Sequence, residues 1–295
     1  MGNTSRKNIF ELMQEKYDLE EEIMKIEDLM SEYMITTYEF GEDLGEMYEL
    51  NEYILEAFVS EYLLHKWKNC RNFISCSEIR TALGINEFIQ SCKLRYFTGN
   101  LEEIINYIEY ILNIVNIYET HKEEDTLNAK SNRLYDTLIR IVNILLDHIN
   151  YESKKFESEE KVLVVEKNPA ATSVAEIVED DLSFKVIEYN HHLLKGNLDR
   201  KKEILKALAD KVEPLTENLD NQLASDFGFL VNNINIRHNN LEGKNRKEYI
   251  VNMQNEELEE WYDEAYQLML LCILENEYKN NNQDKIKQLR KDIKK

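Results

Sequence analysis

Proline and glycine are scarce, at two and eight in 295 residues. Hairpin-rich β folds consume these residues at their turns, so the shortage argues against such folds and for helices. The four cysteines, Cys70, Cys76, Cys92 and Cys272, form no CxxC pair. That spacing predicts reduced thiols in a cytoplasmic protein, not a disulfide framework or a zinc ribbon. No apolar run reaches the ~18 residues of a membrane span. The opening MGNTSRKNIFELMQEK lacks the apolar core of a signal peptide, so no membrane association is expected. Positive charge is in short supply, with 36 Lys and Arg against 57 Asp and Glu, a net of −21. Such a chain repels nucleic acid on average and confines any contact with it to a local surface. A glycine-rich phosphate loop, GxSxG, HExxH and the Glu-x-x-His pairs of di-iron bundles are all missing. No metal and no cofactor are expected.

What is present is helical periodicity. Ile9, Leu12, Lys16, Leu19, Ile23, Ile26, Met30 and Tyr33 recur in steps of three and four, the narrow seam of a coiled coil, which predicts a long helix over 8–36. Leu44, Met47, Ile54 and Phe58 extend a second helix to about Trp67, making a long helical hairpin. Ser75-Cys-Ser-Glu78 reads as a capping box. Leu101 to Tyr118, with Ile104, Ile105, Ile108, Ile111, Leu112 and Val115, predicts the most buried helix of the N-terminal half. Leu134 to Ile149 is the next. The fold expected is all-α. An acidic helical domain spans 1–150, a charged linker 151–171, a four- to five-helix bundle 172–278 and a basic tail 279–295.

Within the bundle, Ser173 to Glu176 forms a second capping-box pattern that opens a helix to about Leu194. Asp199 to Val212, residues 217–234 and Glu256 to Asn276 follow, the last with Leu258, Trp261, Tyr262, Ala265, Leu268, Met269 and Cys272 on its inner face. Val162 to Val165 could form one strand. His191 and His192 are neighbours in sequence and are expected on different sides of a helix, too far apart in direction to share a metal. Charge is uneven: residues 1–60 hold 16 acids and 4 bases, a net of −12, and residues 279–295 hold 7 bases and 2 acids, a net of +5.

One stretch concentrates polar chemistry. Residues 232–243 read NNINIRHNNLEG, between two helices. Asparagine tolerates left-handed backbone and bonds its own main chain, which suits a helix end and loop. The same residues also make a kit for a phosphodiester. Arg237 would bind phosphate bidentately, His238 would exchange a proton, and Asn239 would orient them, with Asn233 and Asn240 as substrate-binding groups.

A polar Arg-His or Arg-Asn turn just before the last long helix of an α-bundle resembles the HEPN superfamily, over about residues 172–278. The resemblance implies a commonly dimeric bundle and a metal-independent endoribonuclease of bacterial abortive-infection or toxin–antitoxin type. Arg237 matches the family's arginine and Asn239 its polar neighbour. The positions that would hold the histidine, 242 to 244, are Glu242, Gly243 and Lys244, and Arg140 and His148 are spaced one residue too widely. The function expected is a component of an antiphage defence system whose HEPN-like bundle cleaves or binds RNA, with a protein partner or homodimer. Two alternatives stand beside it: a non-catalytic helical interaction or regulatory subunit of a larger complex, and an acidic nucleic-acid mimic.

Overall fold

A computed structural model describes residues 18–31, 34–40, 47–97, 99–121 and 129–293. The chain divides into two compact units, residues 1–164 and 165–295. Helices dominate both.

In the first unit, α1 (Leu19–Ser31) begins at Asp18, whose carboxylate accepts from the Glu20 and Glu21 amides at 3.1 and 3.2 Å. It buries Ile23, Ile26 and Met30. The strands β1 (Met34–Phe40) and β2 (Met47–Tyr53) pair antiparallel, with Tyr38 opposite Glu49 and Phe40 opposite Met47. The helix α2 (Ile54–Phe58) continues through a π turn at Val59–Leu63 and a 3-10 turn at Leu64–Lys66.

This corrects the helical hairpin, while the mainly helical class stands. Of the expected helix 8–36, residues 8–17 and 32–33 lie outside the described residues and 34–36 belong to a strand. Of the expected second helix, Leu44 lies outside the described residues, Met47 belongs to the partner strand and the helix starts at Ile54. The reason lies in MITTYEF and MYELNEY, which carry β-branched and aromatic residues suited to a pleated surface. Met47, Leu50 and Ile54 stand at steps of three and four, so the second of these segments also fits a helical period.

Ser75 caps α3 (Cys76–Leu83): its hydroxyl accepts from the Glu78 amide at 3.2 Å, and Glu78 reaches back to the Ile74 amide at 2.9 Å. Gly84 ends the helix at φ +69°, a left-handed position that glycine adopts without strain. Next come α4 (Asn86–Lys93), α5 (Leu101–His121) and α6 (Ala129–His148). α5 is buried on nearly every side, from Ile104 to Tyr118, as its sequence predicts.

Residues 151–161 are not a linker. β3 (Tyr151–Phe156) and β4 (Lys161–Glu166) form a hairpin. Its connection of four residues is too short for a parallel crossover. Side chains of α5 serve β4 as a partner strand would: Asn113 donates to the Val162 carbonyl and accepts from its amide, at 2.8 and 3.0 Å, and Glu109 accepts from the Val164 amide at 2.6 Å. The charged sequence of β3 hid the strand, because a two-stranded ribbon exposes enough side chain to water to need little apolar alternation.

In the second unit, α7 (Pro169–Ala175) opens one residue after Asn168, whose side chain accepts from the Ala171 amide at 3.1 Å. Pro169 sits at the first helical position, where its missing N–H costs nothing. The Ser173 capping box is therefore corrected: Ser173 lies inside α7, and α8 (Asp180–Glu188) starts separately. Gly196 at φ +77° precedes Asn197, the cap of α9 (Leu198–Val212). A 3-10 turn over Glu213–Asn218 leads to α10 (Asn221–Asn233). The short α11 (Glu248–Val251) precedes α12 (Asn255–Glu277). A π turn over Tyr278–Asn282 joins α12 to α13 (Gln283–Ile293).

The core of this unit holds Ile204, Leu205, Leu208 and Val212 of α9, Phe227 and Val231 of α10, and Tyr262, Ala265, Met269 and Cys272 of α12. Trp261 is 42% exposed, correcting its placement on the inner face. The rings of His191 and His192 lie 4.4 Å apart. They enter a 3-10 turn from extended backbone at His191, so the helical geometry that would have separated them does not apply.

Candidate functional site

The asparagine-rich stretch is a loop whose polar groups largely bond one another. At the end of α10, the Asn232 and Asn233 side chains donate to the carbonyls of Gly228 and Phe229, both at 2.7 Å. Asn235 then takes a left-handed φ of +63°, a conformation asparagine accepts better than most residues. Its amide donates to Asn240 Oδ1 at 2.7 Å, and the Asn240 amide donates to Asn235 Oδ1 at 3.2 Å. Each asparagine thus closes the turn on the other. Asn240 Nδ2 donates to the carbonyls of Asn232 (3.4 Å) and Asn245 (3.0 Å), and the Asn240 carbonyl accepts from the Lys247 amide at 2.8 Å. Asn240 is 0% exposed, and Ile234 and Ile236 are buried beside it.

Neighbouring helices fasten this loop. Lys202 of α9 donates to Asn235 Oδ1 at 3.1 Å, and burial holds its ammonium below the usual lysine value. Tyr249 of α11 donates to the Asn233 carbonyl at 2.8 Å. Arg237 reaches the C-terminal end of α9. Nη1 and Nη2 donate to the two carboxylate oxygens of Glu213, each at 2.7 Å, and Nη2 also donates to the Ala209 carbonyl at 3.2 Å. The pair is bidentate, the geometry in which guanidinium and carboxylate fit best. Arg237 holds the Glu213 carboxyl below its ordinary range through these hydrogen bonds. A cation at a helix C-terminus also complements the helix dipole.

The predicted site residues therefore separate. Asn240 is sealed and fully engaged, Asn233 is tied to α10 and α11, and both terminal nitrogens of Arg237 are occupied by its own chain, while its Nε is buried with no hydrogen-bond partner among the described residues. His238 and Asn239 are exposed side by side, and Asn239 Oδ1 accepts from the Leu241 amide at 3.1 Å. The other arginine and histidine considered, Arg140 and His148, are exposed on α6. Among the described residues no group of three His, Cys, Asp or Glu side chains could hold a metal ion, and no helix is long and apolar enough to cross a membrane.

A polar cluster that sequence reasoning missed lies in the first unit. Glu27 is 2% exposed and accepts from the hydroxyls of Tyr53 (2.5 Å), Tyr107 (2.7 Å) and Ser31 (2.9 Å). Glu56 is 3% exposed and is bonded by Tyr110 (2.6 Å) and by Arg80. Burial raises the Glu56 carboxyl above its usual range, against the opposing pull of Arg80. Both acids fall within residues 1–60, where the residue count shows only an excess of negative charge. A signal existed: Glu27 stands four residues after Ile23 and three before Met30, on the buried side of α1. These groups are sealed from solvent, so their chemistry is that of a satisfied buried network.

Two concave surfaces lie elsewhere. A groove of about 720 Å³ runs along α6 beside α5, and a cleft of about 520 Å³ is lined by Lys195 to Asp199 and Asn255. Neither is lined by Arg237, His238 or Asn239. No protein-family model, curated protein or solved structure matches the chain.

Proposed function

We propose that this chain is a non-catalytic, helical interaction or regulatory subunit. The observation that carries the reading is the commitment of Arg237 to Glu213 and the Ala209 carbonyl. A phosphate would have to displace a bidentate carboxylate before it could be bound there. The asparagines around Arg237 hold the loop together, which accounts for their number without a substrate. Such a protein acts through its surfaces, and charge is unevenly spread along the chain, from a net of −12 over residues 1–60 to +5 over residues 279–295.

The antiphage, HEPN-like ribonuclease is the second reading. It is favoured by His238 and Asn239, which stand exposed and adjacent between the buried Ile236 and Asn240, beside the paired arginine. Both readings place the protein with a partner or a second copy, and neither needs a metal. The acidic mimic has no observation of its own in its favour.

RNA cleavage by the purified chain in EDTA separates the first two. The interaction reading expects no cutting by wild type, and Arg237→Ala to lower the melting temperature modestly and do nothing else. Metal-independent cleavage that disappears in both Arg237→Ala and His238→Ala, with the fold intact, would replace it by the nuclease.

A further inference from the structure

α13 has no buried residue. Its Ile286, Leu289 and Ile293 are 40, 59 and 76% exposed. At steps of three and four they form one narrow aliphatic stripe. Lys285, Lys287, Arg290 and Lys291 are exposed around it. So narrow a stripe, without an aromatic residue, suits the seam of a helix–helix contact better than the broad apolar face that lies in a membrane surface.

The groove along α6 has the complementary character. Val115, Tyr135, Ile139 and Ile144 supply apolar lining, and Ile144 is 42% exposed. Glu119, Asp136 and Asp147 add carboxylates at exposed positions. Arg140 also lines the groove, and α13 carries Asp284 and Asp292 to meet it. Length agrees as well. The lining positions of α6 run from Tyr135 to Asp147, roughly 18 Å of helix, and the 11 residues of α13 span roughly 16 Å.

We infer that α13 of one copy docks in the acidic α5–α6 groove of a second copy of this chain. A tail-to-tail contact is disfavoured, because it would set one basic segment against another. The aliphatic stripe supplies burial, and the opposed charges set which surfaces meet. The inference deepens the interaction reading and rests on it, since it names a partner for that surface. It uses none of the asparagine-loop residues, so its failure and a positive cleavage assay are distinguishable results.

The test is sedimentation velocity of the full chain over a broad concentration range, at low and high salt. The expected result is reversible association that salt weakens. Asp136→Lys with Asp147→Lys, and separately Lys285→Glu with Arg290→Glu, should each weaken association on the order of tenfold or more. All four positions are exposed, and circular dichroism checks that each variant is folded. Mixing the two reversed variants should restore association, because the groove of one then matches the tail of the other. A chain that remains monomeric throughout would overturn the inference and point to docking within one chain or to another partner. Association unaffected by both reversals would overturn it too, as would binding of the tail to anionic lipid vesicles with no association in their absence.

Discussion

The Glu27–Tyr53–Tyr107 cluster of the first unit and the Asn235–Asn240 loop of the second are both buried polar networks, but they are built differently. The first gathers side chains from α1, β2 and α5 around a carboxylate, which accepts three hydroxyl hydrogen bonds. The second folds neighbouring residues back on one another, with partners five residues apart. A network made of distant residues leaves only a faint mark in a run of sequence, here an acid on the apolar face of a helix. A network made of neighbours is conspicuous there and easily mistaken for a reactive site. The difference teaches that polar density in a sequence reports local backbone needs before it reports chemistry.

The comparison can be broken by removing each network's central acceptor. Glu27→Ala leaves three hydroxyls without their acceptor, at least two of them buried, and should lower the unfolding free energy by about 3 kcal/mol or more. Asn240→Ala, which opens the loop at its buried clamp, should cost about 2 kcal/mol. Urea unfolding of single-tryptophan variants reads the two units separately, because Trp67 lies in the first and Trp261 in the second. If Asn240→Ala proves the more damaging, the loop is the real keystone and the ranking is reversed.

Acid should sharpen the contrast. Glu56, in the first unit, has a raised pKa through burial. A raised carboxyl binds its proton more readily in the fold than in the unfolded chain. Its contribution is therefore present below the unfolded value, near 4.5, and is lost as pH rises through the folded value. In the second unit Glu179, Glu203 and Glu213 are lowered by hydrogen bonds from Lys211, Arg200 and Arg237. Glu259 is lowered as well, where burial (the largest influence, raising it) is outweighed by Lys201, Lys195 and the Gly196 amide. Their contributions are present above the unfolded value and lost as pH falls through the folded ones. Acidification from neutrality towards pH 4 should therefore destabilise the Trp261-reported unit more than the Trp67-reported unit. Glu56→Gln should flatten part of the difference. Parallel pH profiles for the two reporters would show that these groups do not govern acid sensitivity.

The smallest effect expected is none at all, and it concerns the thiols. Cys76 and Cys272 are pushed up to about 12 and Cys92 to about 11, in each case chiefly by burial, and Cys70 is raised as well. Native protein at pH 8 should resist iodoacetamide at all four, and unfolded protein should react at each. Rapid labelling of one cysteine in the native state would mark a local opening at that position.

Particular elements show what could be read in advance. α5, α9 and α12 were legible because a long apolar period survives any tertiary arrangement. The Ser75 cap was legible because a capping side chain satisfies the backbone beside it. The β1–β2 hairpin was missed because Met47, Leu50 and Ile54 also fit a helical spacing; β4 was anticipated at Val162 to Val165, but charge concealed its partner β3. At the candidate loop the sequence showed the polar residues but not which groups they bond. Arg237 pairs with Glu213, 24 positions earlier, and no spacing rule links a loop arginine to the far end of a preceding helix.

By itself the sequence determined the helical class, the apolar stripes, several helix boundaries and the separation of charge between an acidic start and a basic tail. These depend on interactions among near neighbours, whose geometry the backbone supplies. Only the tertiary structure decided that two acids of the N-terminal region are buried under tyrosines, that Arg237 is occupied and that α13 is uncovered. Each is settled by which distant residues meet, and there desolvation and hydrogen-bond satisfaction outweigh local preference.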